Sequence, residues 1–258
     1  MYILSLMFFV FGLVIGSFLN VVILRFNTNR SFGGRSACMS CQSKLNWYEL
    51  VPVFSFIFLR GRCRNCSSHI SSQYPLVELL SGITFLLLFL MFKDVFLLDI
   101  VVFSISYAYY ATVFSLLLII ATYDIRHKIV PDILSIFLGI LGFLGLFFFK
   151  DFSFYPHLPS YLEFLAGPII ATPFAFLWLA SRGTWMGLGD AKLALGLGWI
   201  LGLSTVFSAT VMAFWIGALY GLLLVLFSKK YKMKSELPFV PFLTLGVFLV
   251  FFLGLNFF

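Results

Sequence analysis

The chain has 258 residues, of which 62% are hydrophobic and only 10% are charged, with a formal net charge of +7. Soluble domains carry about 25% charged residues, so this composition excludes a soluble globular protein and predicts an all-α polytopic membrane protein. The excess of Lys and Arg is read by its position relative to the membrane, so we expect contact with membrane lipid and none with nucleic acid.

The first element is an apolar run that begins at the start of the chain. It lacks the positively charged region that opens a cleaved signal peptide, and it runs directly into Arg25. We therefore predict that residues 1–24 form the first transmembrane helix, with the N-terminus outside.

The second element, residues 25–75, is the only long polar stretch of the sequence. It holds two CxxC pairs separated by 21 residues, a spacing that can present four thiolates in the tetrahedron of a structural Zn²⁺ site. The ligands would be Cys38, Cys41, Cys63 and Cys66. Disulfides or free thiols are the alternatives, but this basic segment is predicted to face the cytoplasm, where thiols stay reduced. We predict a small zinc-ribbon-like domain inserted between helices 1 and 2.

Residues 76–258 are predicted to form a seven-helix membrane domain. Lys and Arg cluster in four segments that the positive-inside tendency assigns to the cytoplasm, namely 25–75, the stretch around 126, 182–192 and 229–234. Because two loops on one side are joined by an even number of crossings, each apolar region between them crosses twice. The predicted outer turns lie at 93–99, 150–159 and 202–204. With a last helix over 239–257, the total is about eight transmembrane helices and both termini are outside.

Five of the ten acidic residues lie close to the predicted cytoplasmic ends of membrane helices, namely Glu78, Asp124, Asp132, Asp190 and Glu236. Two of these, Asp124 and Asp190, are predicted to lie on the same side at comparable depth. Asp124 follows Tyr123 at the end of the third helix, and Asp190 opens the sixth helix within the sequence GLGD. Charge at the bilayer edge is costly and usually functional. Two neighbouring carboxylates in such a place share a proton, so one can act as general base while the other polarises a carbonyl. Asp124 and Asp190 are therefore candidate catalytic residues.

Glycines precede Asp190 at two positions and suit the approach of a substrate backbone. Gly187 and Gly189 carry no Cβ, so the main chain can unwind there and a substrate strand can come close. The alternative for each aspartate is a structural role, as a helix cap or as the partner of a neighbouring Lys or Arg. The combination of Tyr-Asp at one helix end and GxGD at another favours catalysis.

With these residues in view, the chain closely resembles the type IV prepilin peptidases over nearly its whole length. The resemblance rests on the two CxxC pairs and on GSFLNVVILR, LNWYELVPVFSFIFLRGRCRNC, ISSQYPLVE, YDIRHKIVPD, GLGDAKL and LPFVPFL. It implies an aspartic endopeptidase of the GxGD type in the bacterial plasma (inner) membrane. Such enzymes remove the leader of prepilins and pseudopilins of type IV pilus and type II secretion systems on the cytoplasmic side. By motif position, the catalytic pair falls on Asp124 and Asp190.

The resemblance further implies a second activity, because many members then N-methylate the new terminus with S-adenosyl-L-methionine. That activity is attributed to the region around the cysteine domain, which makes Asn20, Arg25 and Glu78 the candidate residues. Two departures bear on this half. Arg25 is followed by Phe26-Asn27, where the family usually has Pro, and Gln42-Ser43 stand where Gly-His is frequent.

Three other interpretations remain open at this stage. A presenilin-like or preflagellin-type GxGD peptidase without methyltransferase activity would share the aspartate pair but not the cysteine domain. A proton-coupled transporter would need acidic groups deep in the helices and an internal repeat, and neither is seen in the sequence. A non-catalytic anchor for a zinc-ribbon module would leave Asp190 unexplained.

Overall fold

The computed structural model describes residues 1–28, 31, 33–227 and 236–255 and is mostly helical, which confirms the predicted class. The α-helices of the described residues are α1 Tyr2–Arg25, α2 Phe54–Phe58, α3 Gln73–Leu98, α4 Ile100–His127, α5 Asp132–Phe148, α6 Tyr161–Ser181, α7 Leu188–Leu201, α8 Leu203–Phe227 and α9 Val240–Leu253. The chain divides into two compact units, Met1–Asp94 and Val95–Phe258.

Apart from the short α2, these helices coincide with the eight membrane segments predicted from the sequence. The break predicted at 93–99 is narrower in the structure, because α3 continues to Leu98. It falls at Asp99, whose side chain accepts hydrogen bonds from the amides of Val101 and Val102 and caps α4. The break at 202–204 falls at Gly202, whose φ of +77° a residue with a side chain rarely adopts. These two residues explain why the long apolar runs divide where they do.

Five of the described helices are long and apolar enough to cross a membrane: α1, α3, α4, α6 and α8. The helices α5 and α9 are apolar but shorter, and α7 has 14 residues. The count of eight crossings therefore remains a prediction. The basic segment at 229–234, on which part of the predicted orientation depends, lies outside the described residues.

The turn predicted at 150–159 contains a small hairpin that the sequence did not predict. Strands β1 (Phe149–Lys150) and β2 (Ser153–Phe154) pair antiparallel between α5 and α6. The Phe149 ring stacks on Tyr109 of α4, with ring centroids 4.1 Å apart. Aromatic packing thus orders this loop, which in the sequence is recognisable only as a polar break between two apolar runs.

In the first unit, α1 and α3 pack through glycines that let their backbones approach closely. A Cβ at Gly16 would lie 2.6 Å from the Cα of Glu78, and one at Gly12 would lie 2.7 Å from the Cβ of Phe85. The spacing of these two glycines is the GxxxG pattern of closely packed membrane helices. This contact brings the polar ends of α1 and α3, which carry Asn20 and Glu78, side by side.

In the second unit, α7 is the central helix, and nine of its 14 residues are buried. A Cβ at Gly198 would lie 2.6 Å from the Cα of Gly167 on α6, and one at Gly142 on α5 would lie 2.6 Å from the carbonyl oxygen of Gly196. Small residues therefore allow α5 and α6 to approach α7 closely. This packing fixes the start of α7, where Asp190 stands.

Candidate active site and cysteine cluster

Asp124 lies in the last turn of α4 and is 4% exposed. Its Oδ2 accepts a hydrogen bond of 3.3 Å from the backbone amide of Val240, the first residue of α9. The start of a helix presents unpaired N–H groups and a positive partial charge, which favours a carboxylate. One helix therefore supplies the aspartate and the start of another orients it.

The contribution of Val240 was missed in the sequence because a backbone amide has no residue-type signature. The available signal was Pro241, since proline is enriched in the first turn of a helix, where its missing N–H costs nothing. This proline stands within LPFVPFL, and it marks the point at which α9 begins. Recognising a helix start there would have indicated free amides close to the end of the chain.

Asp190 lies in the first turn of α7 and is 7% exposed. Gly187 is the residue that caps this helix, and its amide hydrogen-bonds the Asp190 carboxylate. The Asp190 amide in turn donates to the Gly187 carbonyl at 3.3 Å. A carboxylate three residues after the cap is a favourable arrangement at a helix start, so the helix itself holds this side chain at its N-terminal end.

The structure brings the two aspartates together inside the second unit. The charge of Asp124 acts on Asp190 through space, and both carboxyl groups are largely removed from solvent. A capping role at a helix end would explain the burial of each aspartate separately, but it would not explain why the two lie near each other. Two carboxyl groups that act on one another in a place shielded from water do not ionise independently.

The two glycines before Asp190 have different surroundings. A Cβ at Gly189 would lie 2.6 Å from the Cβ of Val130, in the connection between α4 and α5, so this position is closed by packing. A Cβ at Gly187 would meet Asp190 Oδ2 at 3.8 Å, which is ordinary contact. Glycine at position 189 is therefore required by packing, which the sequence did not reveal. At Gly187 there is space for a larger residue.

A third carboxylate, that of Asp132, forms a salt bridge. Asp132, at the start of α5, lies 2.7 Å from the ammonium of Lys192 on α7. Both side chains are partly exposed, so the bridge contributes little to stability. It links the first residue of α5 to the second turn of α7 and leaves Asp132 distinct from the buried aspartates.

The four cysteines converge in the first unit, between α1 and α3. Their Sγ atoms all lie within 4.8 Å of one another, with Cys38 and Cys66 at 3.8 Å and Cys41 and Cys63 at 4.0 Å. None of the four forms a disulfide. A tetrahedron with Zn–S bonds of about 2.3 Å has edges of about 3.8 Å, so the donor set fits a Zn²⁺ ion.

The backbone around each CxxC pair has the same design. The amides of Cys38 and Cys63 donate to the carbonyls of Ser43 and Ser68, which closes two similar turns. The Cys41 and Ser40 amides and the Ser68 hydroxyl lower the pKa of the Cys38 thiol to about 6. Because a metal binds the thiolate, the lowered pKa of Cys38 favours metal binding at that one ligand.

The methyltransferase candidates lie on α1 and α3 of the same unit. Asn20 is 1% exposed and donates through Nδ2 to the Tyr74 carbonyl, while its Oδ1 has no partner among the described residues. Glu78 accepts a 2.7 Å hydrogen bond from the Val53 amide. Arg25 instead donates hydrogen bonds to the carbonyl oxygens of Ser31 and Gly33.

The fold and these sites define a polytopic helical membrane protein with a buried aspartate pair and a four-cysteine metal-type site. Comparison with known proteins makes this assignment specific. Residues 10–92 match the Bacterial Peptidase A24 N-terminal domain, and residues 111–222 match the Type IV leader peptidase family. No solved structure matches the chain.

Curated relatives extend the match over almost the whole chain. A prepilin leader peptidase/N-methyltransferase of Bacillus subtilis is 32% identical over 95% of this chain and 93% of the relative. A protein of the same name from Xanthomonas campestris is 32% identical over 94% and 89%. A type 4 prepilin-like proteins leader peptide-processing enzyme of Escherichia coli is 30% identical over 91% and 88%. The chain therefore belongs to the type IV leader peptidase family, as its motifs predicted.

Proposed function

We propose that this chain is a membrane aspartic endopeptidase that removes the leader peptides of prepilins and pseudopilins. Asp124 and Asp190 are its catalytic pair. The observation that carries the assignment is that two buried carboxyl groups, at the end of α4 and the start of α7, lie near enough for the charge of one to act on the other. Among the described acidic residues, Asp132 is instead paired with a lysine.

In the proposed reaction one carboxylate takes a proton from water, and the oxygen of that water attacks the carbonyl carbon of the scissile peptide. The other carboxyl group, protonated, donates a hydrogen bond to the carbonyl oxygen. The C–N bond then breaks, and the leaving amine takes a proton from the pair. The Val240 and Gly187 amides orient the two side chains before substrate arrives. The space at Gly187 suits the approaching substrate backbone.

We place this site at the cytoplasmic face of the bacterial plasma membrane, from the distribution of Lys and Arg along the sequence. The same reasoning assigns residues 25–75 to a cytoplasmic zinc-binding domain and residues 76–258 to the membrane domain. In the cytoplasm the four thiols stay reduced and available to a metal. A structural Zn²⁺ would order a segment too short to have much core of its own.

The test of the peptidase assignment is cleavage of a purified prepilin by three asparagine variants. Asp124→Asn and Asp190→Asn should each lower the rate by at least about a hundredfold, because each removes one of the two proton-transferring groups. Asp132→Asn is the matched control and should retain cleavage, since it removes only an exposed ion pair. The masses of the products report the cut site. Persistence of cleavage in either of the first two variants would remove that residue from the mechanism.

The second proposed activity is N-methylation of the newly exposed terminus. S-adenosyl-L-methionine supplies the methyl group. Its sulfonium and amino groups are cationic, and the unpaired Asn20 Oδ1 and the Glu78 carboxylate are acceptors that suit such a ligand. Arg25 binds the carbonyl oxygens of Ser31 and Gly33, beyond the end of α1. This buried polar patch between α1 and α3 supports the methyltransferase half, which the relatives' names also include.

A further inference from the structure

A short part of the cysteine-containing segment exposes large apolar side chains, although it lies outside the candidate spans. This is the aromatic segment, residues 47–58, which includes a 3₁₀ turn at Trp47–Leu50 and the helix α2. Trp47 is 80% exposed and Phe58 is 82% exposed. The other exposed apolar members are Tyr48, Leu50, Val51, Phe54 and Ile57. An exposed patch of this kind marks an interaction surface.

The exposed side chains of α2 lie on one face. Phe54, Ile57 and Phe58 are spaced three and four residues apart, so they project together from the helix. Phe56 points elsewhere and packs over Gly61, where a Cβ would lie 3.1 Å from its ring. The helix therefore has an inner side that contacts the cysteine segment and an outer side that is apolar and uncovered.

The position of α2 is fixed by a bond to a membrane-spanning helix. The amide of Val53 donates to Glu78, which lies in the second turn of α3, about 8 Å along that helix from Gln73. Val53 has a φ of +61°, and the amide of Phe54 bonds the Pro52 carbonyl across it. This is a strained γ-turn for a β-branched residue. The bond from Glu78 holds the start of α2 beside the end of a candidate span.

The exposed charged side chains that flank the aromatic segment in the sequence are basic. Lys44, Arg60, Arg62 and Arg64 are exposed on either side of it. Glu49 is the only acidic residue of the stretch 25–75, and it is occupied by the Asn46 amide at 2.7 Å. The Arg64 guanidinium lies 5.6 Å from the centre of the Tyr48 ring. Basic and aromatic groups therefore stand together on the outer surface.

We propose that the aromatic segment docks on the bilayer surface. The apolar face of α2 enters the headgroup region, and the flanking arginines bind the phosphates of anionic lipid. Aromatic side chains with Lys and Arg beside them are typical of interfacial helices, which sink by roughly 5–10 Å. The hydrogen bond to Glu78 holds the start of α2 near the predicted cytoplasmic end of the candidate span α3, which is the level that docking requires. Docking anchors the cysteine segment to the membrane and does not depend on the catalytic assignments.

The test is photocrosslinking of the full chain in lipid nanodiscs. The photocrosslinker p-benzoylphenylalanine replaces Phe58 in one protein and Met39, which is exposed on the first CxxC turn, in the control. We expect a lipid adduct, identified by its mass, to be several times more abundant from position 58 than from position 39. The adduct should be more abundant in phosphatidylglycerol than in phosphatidylcholine. Combining Arg60→Gln, Arg62→Gln and Arg64→Gln should abolish that difference between lipids without changing the unfolding temperature.

Three outcomes would overturn the proposal. The first is equal lipid labelling at positions 58 and 39. The second is an adduct from position 58 to an added prepilin in preference to lipid, which would make the aromatic segment a substrate surface. The third is crosslinking between two copies of this chain, which would make it a contact between subunits. A preference for phosphatidylglycerol that survives the three arginine substitutions would contradict the headgroup-binding part.

Discussion

The two units of the molecule hold a buried carboxyl group in similar ways but surround it differently. In the first unit, Glu78 accepts a bond from the amide of Val53, just before α2. In the second, Asp124 accepts a bond from the amide of Val240, where α9 begins. The neighbour of Asp124 is a second carboxyl group, Asp190. Around Glu78 the polar neighbours are neutral, with Ser17 among its hydrogen-bond partners and Asn20 one helical turn away on α1.

The same arrangement, a buried carboxyl group bonded to a backbone amide of another segment, therefore suits two different kinds of chemistry in the two units. A pair of carboxyl groups can exchange a proton and therefore suits hydrolysis. A single carboxylate beside an unpaired amide oxygen suits the binding of a cation. The division agrees with the two activities in the relatives' names, a leader peptidase and an N-methyltransferase. It also means that substitutions in one unit should leave the other activity intact.

The sharpest test of this division, and the one with the largest expected effect after the aspartate variants, is Glu78→Gln. The amide keeps the shape of the side chain and an oxygen that can accept the Val53 bond, but it removes the charge. We expect methylation to fall by at least about tenfold, because a bond to a charged group is worth roughly 1.5–3 kcal/mol. Mass analysis of the prepilin product, with and without S-adenosyl-L-methionine, measures both activities. A parallel loss of cleavage, or unchanged methylation, would contradict the division.

A smaller effect is expected when the helix start that carries Asp190 is crowded. Gly189→Ala places a methyl group against Val130, and such overpacking costs about 1–3 kcal/mol of folding free energy. The unfolding temperature and the cleavage rate should both fall, while the methylation rate per folded molecule should stay the same. Gly187→Ala is the control for the unfolding temperature alone, because a methyl group there makes only ordinary contact but enters the space proposed for the substrate backbone. Adding Val130→Ala should restore the Gly189→Ala variant. Failure of that rescue would mean that Gly189 matters for a reason other than packing.

Much of the fold could be predicted because it depends on residue types that can be recognised in the sequence. Apolar runs of membrane length and the charges between them gave the helices, and Asp99 and Gly202 stand at breaks that the sequence predicted. The cysteine cluster was likewise readable from its spacing. The Val240 amide and the contact between Gly189 and Val130 were not, since they depend on which backbones meet in space. The hairpin at Phe149–Phe154 was missed for the same reason, because tertiary aromatic contacts order it.

The smallest expected effect on stability comes from substitutions in the two CxxC turns, which can be compared with each other within the first unit. Gln42 and Ser67 occupy equivalent positions, each directly before the serine whose carbonyl closes its turn, with φ of +57° and +56°. A left-handed conformation costs a residue with a side chain roughly 1 kcal/mol, and glycine avoids that cost. The resemblance to the prepilin peptidases also indicates glycine at position 42. We expect Gln42→Gly and Ser67→Gly each to stabilise the metal-loaded segment by about 0.5–1 kcal/mol.

The measurement for this pair is the chelator concentration that removes the metal from the full chain, followed by metal analysis. Both glycine variants should need more chelator than the parent, whereas Gln42→Ala should not, because alanine keeps the unfavourable φ without the glutamine side chain. That control also accounts for the bond from Gln42 Nε2 to the Met39 carbonyl. If Gln42→Gly weakens metal retention while Ser67→Gly strengthens it, the glutamine side chain outweighs the backbone cost. The departure from the family pattern at position 42 would then be a stabilising contact of this chain.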